Sequence, residues 1–198
     1  MKRIVIAGGI GAGKSAATEY LASRGFSIVD ADDVARAVTQ PGEPTWSAMR
    51  DAFGDAVLQD DQTLDRAFIA EVVFHDSSAL KRLNLITHGP IGQEILRRIG
   101  EATSSAVFIA LPLFREEHRA VLGLDEVWGI LASPEVAIAR LRKYRDFTED
   151  DARARLATQI TNEERATLVD QVLWNDGTVE ELHAKLDAQL VRSVLSNG

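Results

Sequence analysis

The chain has 198 residues, 45% of them hydrophobic, no cysteine and a formal net charge of −8. That length sets one domain with room for a sizeable core, and the missing cysteines exclude disulfides and zinc–thiolate sites. The acidic balance argues against a nucleic-acid partner held by a general basic surface, and no run of eighteen apolar residues marks a membrane span.

Ile4-Val5-Ile6-Ala7 is an apolar, β-branched stretch that reads as a buried first strand, too close to residue 1 to leave room for a cleaved signal peptide. Gly8-Gly9-Ile10-Gly11-Ala12-Gly13-Lys14-Ser15 follows and fits the phosphate-loop pattern G-x-x-x-x-G-K-[ST]. Glycines there let backbone N–H groups turn inward around a phosphate, and the next helix adds its dipole. Ser15 to Arg24 supplies that helix, with Ala17, Tyr20 and Leu21 on one side. Lys14 is expected to reach the β- and γ-phosphates of a nucleoside triphosphate and Ser15 to ligate Mg²⁺.

Residues 25–30 read as a second strand, 107–112 as a third, 126–131 as a fourth and 171–174 as a short fifth. Their alternation with helical segments predicts an α/β fold: a five-stranded parallel sheet between two helical layers, with ligands at the strands' carboxyl ends. Asp30-Ala31-Asp32-Asp33 falls at such an end. Aspartates there cap a helix, or Asp32 accepts the proton of a hydroxyl undergoing phosphorylation.

Between strands two and three the sequence is helical over 31–39, 45–53, 64–74 and 77–99, broken at 40–44 and 54–63. It reads as an insertion that binds the acceptor. Arg140, Arg142, Lys143, Arg145, Arg153 and Arg155 form a basic run in this acidic chain. It is either a solvated helix face paired with Glu149, Asp150 and Asp151 or an arginine-bearing lid over phosphates.

The ordered motifs together resemble the dephospho-coenzyme A kinase family. Gly8 to Ser15 and Asp30-Ala31-Asp32 are followed by Gln40-Pro41-Gly42, Leu64-Asp65-Arg66 and Val73-Phe74. Then come Leu83-Asn84-x-Ile86-x-His88, Pro112-Leu113-Phe114-x-Glu116, Gln159 and Asn175-x-Gly177. The resemblance implies ATP-dependent phosphorylation of the ribose 3′-hydroxyl of dephospho-coenzyme A, on a three-layer α/β/α P-loop kinase core. It implies one kinase domain over 1–198, with core 1–33, 104–139 and 161–198, an acceptor-binding insertion about 34–103 and a lid about 140–160. Under it Gly8, Gly9, Ile10, Gly11, Ala12, Gly13, Lys14 and Ser15 hold ATP and Mg²⁺, and Asp32 is the base. Arg66, His88 and Glu116 border the acceptor, Gln159 belongs to the lid's return helix, and Asn175 with Gly177 lies at the adenine end.

The lid arginines are Arg140 and Arg145. The family places its second arginine four residues after the first, where this chain has Tyr144, so Arg145 is expected to serve through a one-residue shift. Ala7, Gly89, Arg115 and Trp174 also depart from the family pattern. A cytoplasmic monomer or weak homo-oligomer is expected. A different small-molecule P-loop kinase and a nucleotide-dependent switch remain the alternatives, although the N-K-x-D guanine motif is absent.

Overall fold

The computed structural model describes residues 1–195. Five strands, β1 (Lys2–Gly8), β2 (Ser27–Asp30), β3 (Ala106–Ala110), β4 (Glu126–Leu131) and β5 (Gln171–Trp174), form one sheet. All are parallel, in the order β2-β3-β1-β4-β5. Central β1 pairs Val5 with Ile109 on one side and with Val127 on the other.

Side chains alternate across the pleat, so the two faces can be followed separately. Ile4, Ile6, Phe108, Trp128 and Ile130 share one core with Leu21 of α1 (Lys14–Ser23) and Leu182 and Leu186 of α10 (Val179–Leu190). Val5, Val107, Ile109, Val127 and Leu131, with the opposite parity, are also fully buried. A parallel sheet buried on both faces is the middle of a three-layer α/β/α arrangement, as the alternation predicts.

The chain divides into two compact units, residues 1–30 with 102–198, and residues 31–101. The second is helical: α2 (Ala31–Val38), α3 (Pro44–Phe53), α4 (Arg66–His75) and α5 (Ser77–Glu101). Met49, Val57, Leu64 and Ile69 form its buried cluster.

Several boundaries differ from expectation. The second strand begins at Ser27, because Gly25 takes a left-handed φ of 87° in the preceding turn. The third ends at Ala110, two residues short. The helix expected from Leu64 starts at Arg66: Asp65 caps it, its side chain accepting from the Phe68 N–H at 2.9 Å, and Leu64 bridges to Leu58. The basic run is two helices, α7 (Pro134–Arg145) and α8 (Glu149–Ala157), separated by Asp146 in left-handed conformation at φ 54°. The first unit also holds two short helices, α6 (Glu117–Leu122) and α9 (Asn162–Thr167), and a π-helical turn, Val191–Leu195, that follows α10.

Candidate active site

β1 delivers the chain into the loop and α1 opens at Lys14, so strand, loop and helix follow without interruption. Long-range contacts fit the loop tightly. Gly13 takes φ 101°, which disfavours any side chain, and a Cβ there would overlap the amide of Asn175. That amide, 4% exposed, donates from Nδ2 to the Ala12 carbonyl at 2.8 Å. A Cβ on Gly11 would lie 2.8 Å from the Ala137 carbonyl. Lys14 lies across the loop, its Nζ donating to Gly8 O at 2.6 Å and Gly9 O at 3.3 Å.

Asn175 thus sits beneath the loop as a strut. Arg140 joins it there: Nη1 donates to Asn175 O at 2.8 Å, and Nη2 to Asn175 Oδ1 at 3.4 Å and Gly177 O at 3.3 Å. No carboxylate pairs with Arg140 among the described residues, so its charge stays unneutralised beside the loop. Gly177 leaves room for the carboxylate of Glu181, which completes a capping box with Thr178 at the start of α10.

The rest of the basic run behaves otherwise. Arg142 and Arg153 both pair with Glu149, at 3.2 and 2.8 Å. The Arg153 hydrogen bond leads in holding the Glu149 carboxyl below its ordinary pKa. The Arg155 guanidinium lies over the Phe147 ring, 4.8 Å from its centroid. Tyr144 and Arg145 are both exposed at the end of α7. Ile138, Leu141 and Ala152 form the cluster between α7 and α8, and Ile10 of the loop packs into it.

Ser15 is exposed on the first turn of α1. No group of three or more His, Cys, Asp or Glu residues that could hold a metal occurs among the described residues. The Ser15 hydroxyl is the loop side chain that could hold a Mg²⁺ together with nucleotide oxygens and water, an all-oxygen set that suits a hard cation reluctant to dehydrate.

In the helical unit, Asp32 is exposed in the first turn of α2. Arg66 reaches the same helix, donating from Nη2 to Thr39 Oγ1 at 2.7 Å and to Ala35 O at 3.5 Å. Partial burial first, and nearby Arg36 second, lower the Arg66 pKa, while Asp32 raises it. Asp32 and Arg66 therefore lie within one electrostatic cluster. His88 is exposed midway along α5, and Glu116, in the first unit, pairs with Arg119 at 3.0 Å.

Sequence reasoning missed Arg165. It lies in α9, is 7% exposed, and stands against Gly9 and Gln159. Its signal was an arginine within a short acidic segment, indistinguishable there from a solvated charge.

The family model for dephospho-CoA kinase matches residues 3–181 of this chain. The chain belongs to the dephospho-CoA kinase family. A dephospho-CoA kinase of Corynebacterium glutamicum is 39% identical over 203 residues, covering 99% of this chain and 98% of that protein. One from Streptomyces avermitilis is 41% identical over 187 residues, covering 94% and 91%. A solved structure from Thermus thermophilus superposes with a TM-score of 0.83 at 27% identity, covering 98% of both chains. Structures at lower identity share the fold, among them a shikimate kinase of Bacteroides thetaiotaomicron at a TM-score of 0.52 and 15% identity, covering 96% of this chain and 97% of that one. The enzyme is an ATP-dependent kinase that converts dephospho-coenzyme A to coenzyme A. No helix among the described residues is long and apolar enough to cross a membrane.

Proposed function

We propose that the enzyme transfers the γ-phosphoryl group of ATP to the ribose 3′-hydroxyl of dephospho-coenzyme A, using Mg²⁺, with roles assigned to the residues as follows. Residues 8–15 cradle the triphosphate through backbone N–H groups, Lys14 turns to its β- and γ-oxygens, and the Ser15 hydroxyl ligates Mg²⁺. The metal, when bound, offsets charge on the transferring phosphoryl group. Asp32 accepts the proton of the attacking hydroxyl, and Arg66 holds anionic acceptor groups beside it. His88 and Glu116 border the acceptor. Arg140 stabilises charge developing on the phosphates, Arg145 assists from the end of α7, and Asn175 with Gly177 lies at the adenine end of the ATP site. Residues 34–103 serve as the acceptor-binding insertion and 140–160 as the lid. A cytoplasmic setting, where ATP and Mg²⁺ are abundant, and action as a monomer or weak homo-oligomer belong to the same reading.

The observation that carries it is the phosphate loop, complete between β1 and α1 and buttressed by Asn175, in a chain of this family. The Asp32–Arg66 cluster supports the acceptor assignment, because a carboxylate with a nearby cation suits a substrate with an ionisable hydroxyl and a phosphate.

The test is ATP consumption against a panel of acceptors. Dephospho-coenzyme A is expected to be turned over, AMP and ATP alone far more slowly, and excess chelator to stop the reaction. Turnover with AMP but not with dephospho-coenzyme A would reject the reading. Asp32→Asn is expected to lower kcat about 10²-fold, the usual loss with a general base. A variant with normal kcat and a lower Tm would make Asp32 a helix cap only.

A further inference from the structure

Burying a guanidinium without a counter-ion is costly. Arg165 is buried in this way beside the phosphate loop. No carboxylate pairs with it among the described residues, its Nε–H meets no acceptor, and burial alone pulls its pKa below the ordinary arginine value. It nonetheless keeps its proton at any physiological pH. The charge is held rigidly. Thr161 and Glu164 close a capping box at the start of α9, and Asn162 Nδ2 donates to Ala132 O at 2.8 Å, fastening that helix to the end of β4.

Arg165 Nη2 donates to Ile160 O at 3.2 Å and to Gln159 Oε1 at 3.5 Å. The same Oε1 accepts the backbone N–H of Ile10 at 3.1 Å. One neutral oxygen therefore stands where a loop N–H and a buried guanidinium converge. Gly9 keeps the place open: a Cβ there would lie 3.0 Å from Oε1 and 3.4 Å from Nη2. A cavity of about 360 Å³ adjoins it, lined by Gly9, Ile10, Ala137, Leu156, Gln159 and Arg165 among others. A backbone N–H and a desolvated guanidinium bind an anionic oxygen better than an amide oxygen. Gln159, exposed, can yield its place; Arg165, buried, remains.

We propose that Arg165 and the Ile10 N–H form the seat of a γ-phosphate oxygen of ATP, held in this structure by Gln159 Oε1 as a neutral stand-in. This rests on the reading of residues 8–15 as the ATP site. Position along the loop selects the γ-phosphate. The backbone N–H groups of Gly13, Lys14 and the start of α1 cradle the α- and β-phosphates, and the Lys14 side chain reaches on to the β- and γ-oxygens. Ile10 lies at the opposite end of the loop from those backbone donors. Arg165 is then a residue that distinguishes ATP from ADP: ATP displaces Gln159, and ADP leaves it in place.

Equilibrium titration of the full chain with a non-hydrolysable ATP analogue and with ADP tests this. Arg165→Gln is expected to weaken the ATP analogue about tenfold, the loss of one charge-assisted hydrogen bond. ADP should change by less than about twofold, within the scatter of an unaffected contact. Arg165→Lys, keeping the charge with fewer donors, should recover part of the loss. Equal weakening of both nucleotides would make Arg165 a strut for the loop and overturn the proposal, as would no weakening of either. Should Arg165→Gln fail to fold, the Arg165 Nε–H resonance of the unaltered chain decides: it should move with the ATP analogue and not with ADP, and equal movement or none overturns the proposal. Lys14→Ala tests the underlying site separately. If Lys14→Ala binds ATP normally, the loop reading falls and this proposal with it; if Lys14→Ala loses ATP while Arg165→Gln keeps it, only the proposal falls.

Discussion

The phosphate loop and the arginine-rich α7–α8 hairpin adjoin each other through Ile10, yet they are held by opposite means. The loop depends on partners far away in sequence: Asn175 beneath Ala12, the Ala137 carbonyl against Gly11, and Gln159 on Ile10. Most of the hairpin's charges are satisfied locally, with Glu149 taking both Arg142 and Arg153 and Phe147 carrying Arg155. Arginines that look alike in the sequence thus part company. Those with a nearby carboxylate are neutralised at the surface. Arg140 meets carbonyl and amide oxygens and, among the described residues, no carboxylate, so no counter-ion offsets it next to the loop.

The sharpest break of that comparison is Lys14→Ala. Loss of the loop's charged donor is expected to lower kcat/KM by about 10² or more, with the circular dichroism spectrum unchanged. A turnover like that of the unaltered enzyme would remove the loop from the chemistry. Asn175→Ala should come next. It leaves the Ala12 carbonyl buried without its donor, which costs about 1–3 kcal/mol in urea unfolding, and the loosened loop should raise KM for ATP. An unchanged urea midpoint would show that water replaces the amide without loss.

Within the hairpin, Arg140→Ala is expected to lower kcat strongly, Arg145→Ala by less, and Tyr144→Phe hardly at all. A guanidinium can bridge two phosphate oxygens, whereas a phenol offers one donor. Helix geometry works against Arg145, because the residue four after Arg140 shares its face and the fifth is turned about 140° away. Only the end of α7 at Asp146 relieves that constraint. Steady-state kcat at saturating substrates ranks the three, and a larger effect at Tyr144 than at Arg145 would show that the register does not shift.

The smallest effect belongs to Glu149→Gln. The Arg153 and Arg142 contacts lower the Glu149 pKa in the folded chain, so its contribution to stability is present above the ordinary carboxylate pKa. It is lost as pH falls through the depressed folded value. The Tm difference between Glu149→Gln and the unaltered chain should be small at pH 7 and disappear in acid, with kcat unchanged, since exposed pairs contribute little. A difference that persists at low pH would assign the pair's effect to packing.

Local pattern determined much of this protein from sequence alone. The β-branched run before the glycines, the loop spacing, Lys14, Ser15 and the helix after them are contiguous, and contiguous residues set backbone shape and period. The strand at residues 126–131 coincides with β4, and the alternation of strands and helices foretold a parallel sheet buried on both faces. Boundaries that turn on one cap or one left-handed residue, such as Asp65 and Gly25, were displaced by a residue or two because a cap reads only against its neighbours. The family motifs assigned Asn175 to the ATP site and Gln159 to the lid; tertiary structure decided that both touch the loop itself. Asn175 lies 163 positions from Ala12 and Gln159 lies 149 from Ile10, and the sheet order that joins them leaves no trace in any short window. It also decided which arginine is buried with no counter-ion among the described residues, because burial and pairing arise from folded neighbours, and Arg165 carries neither in its sequence surroundings.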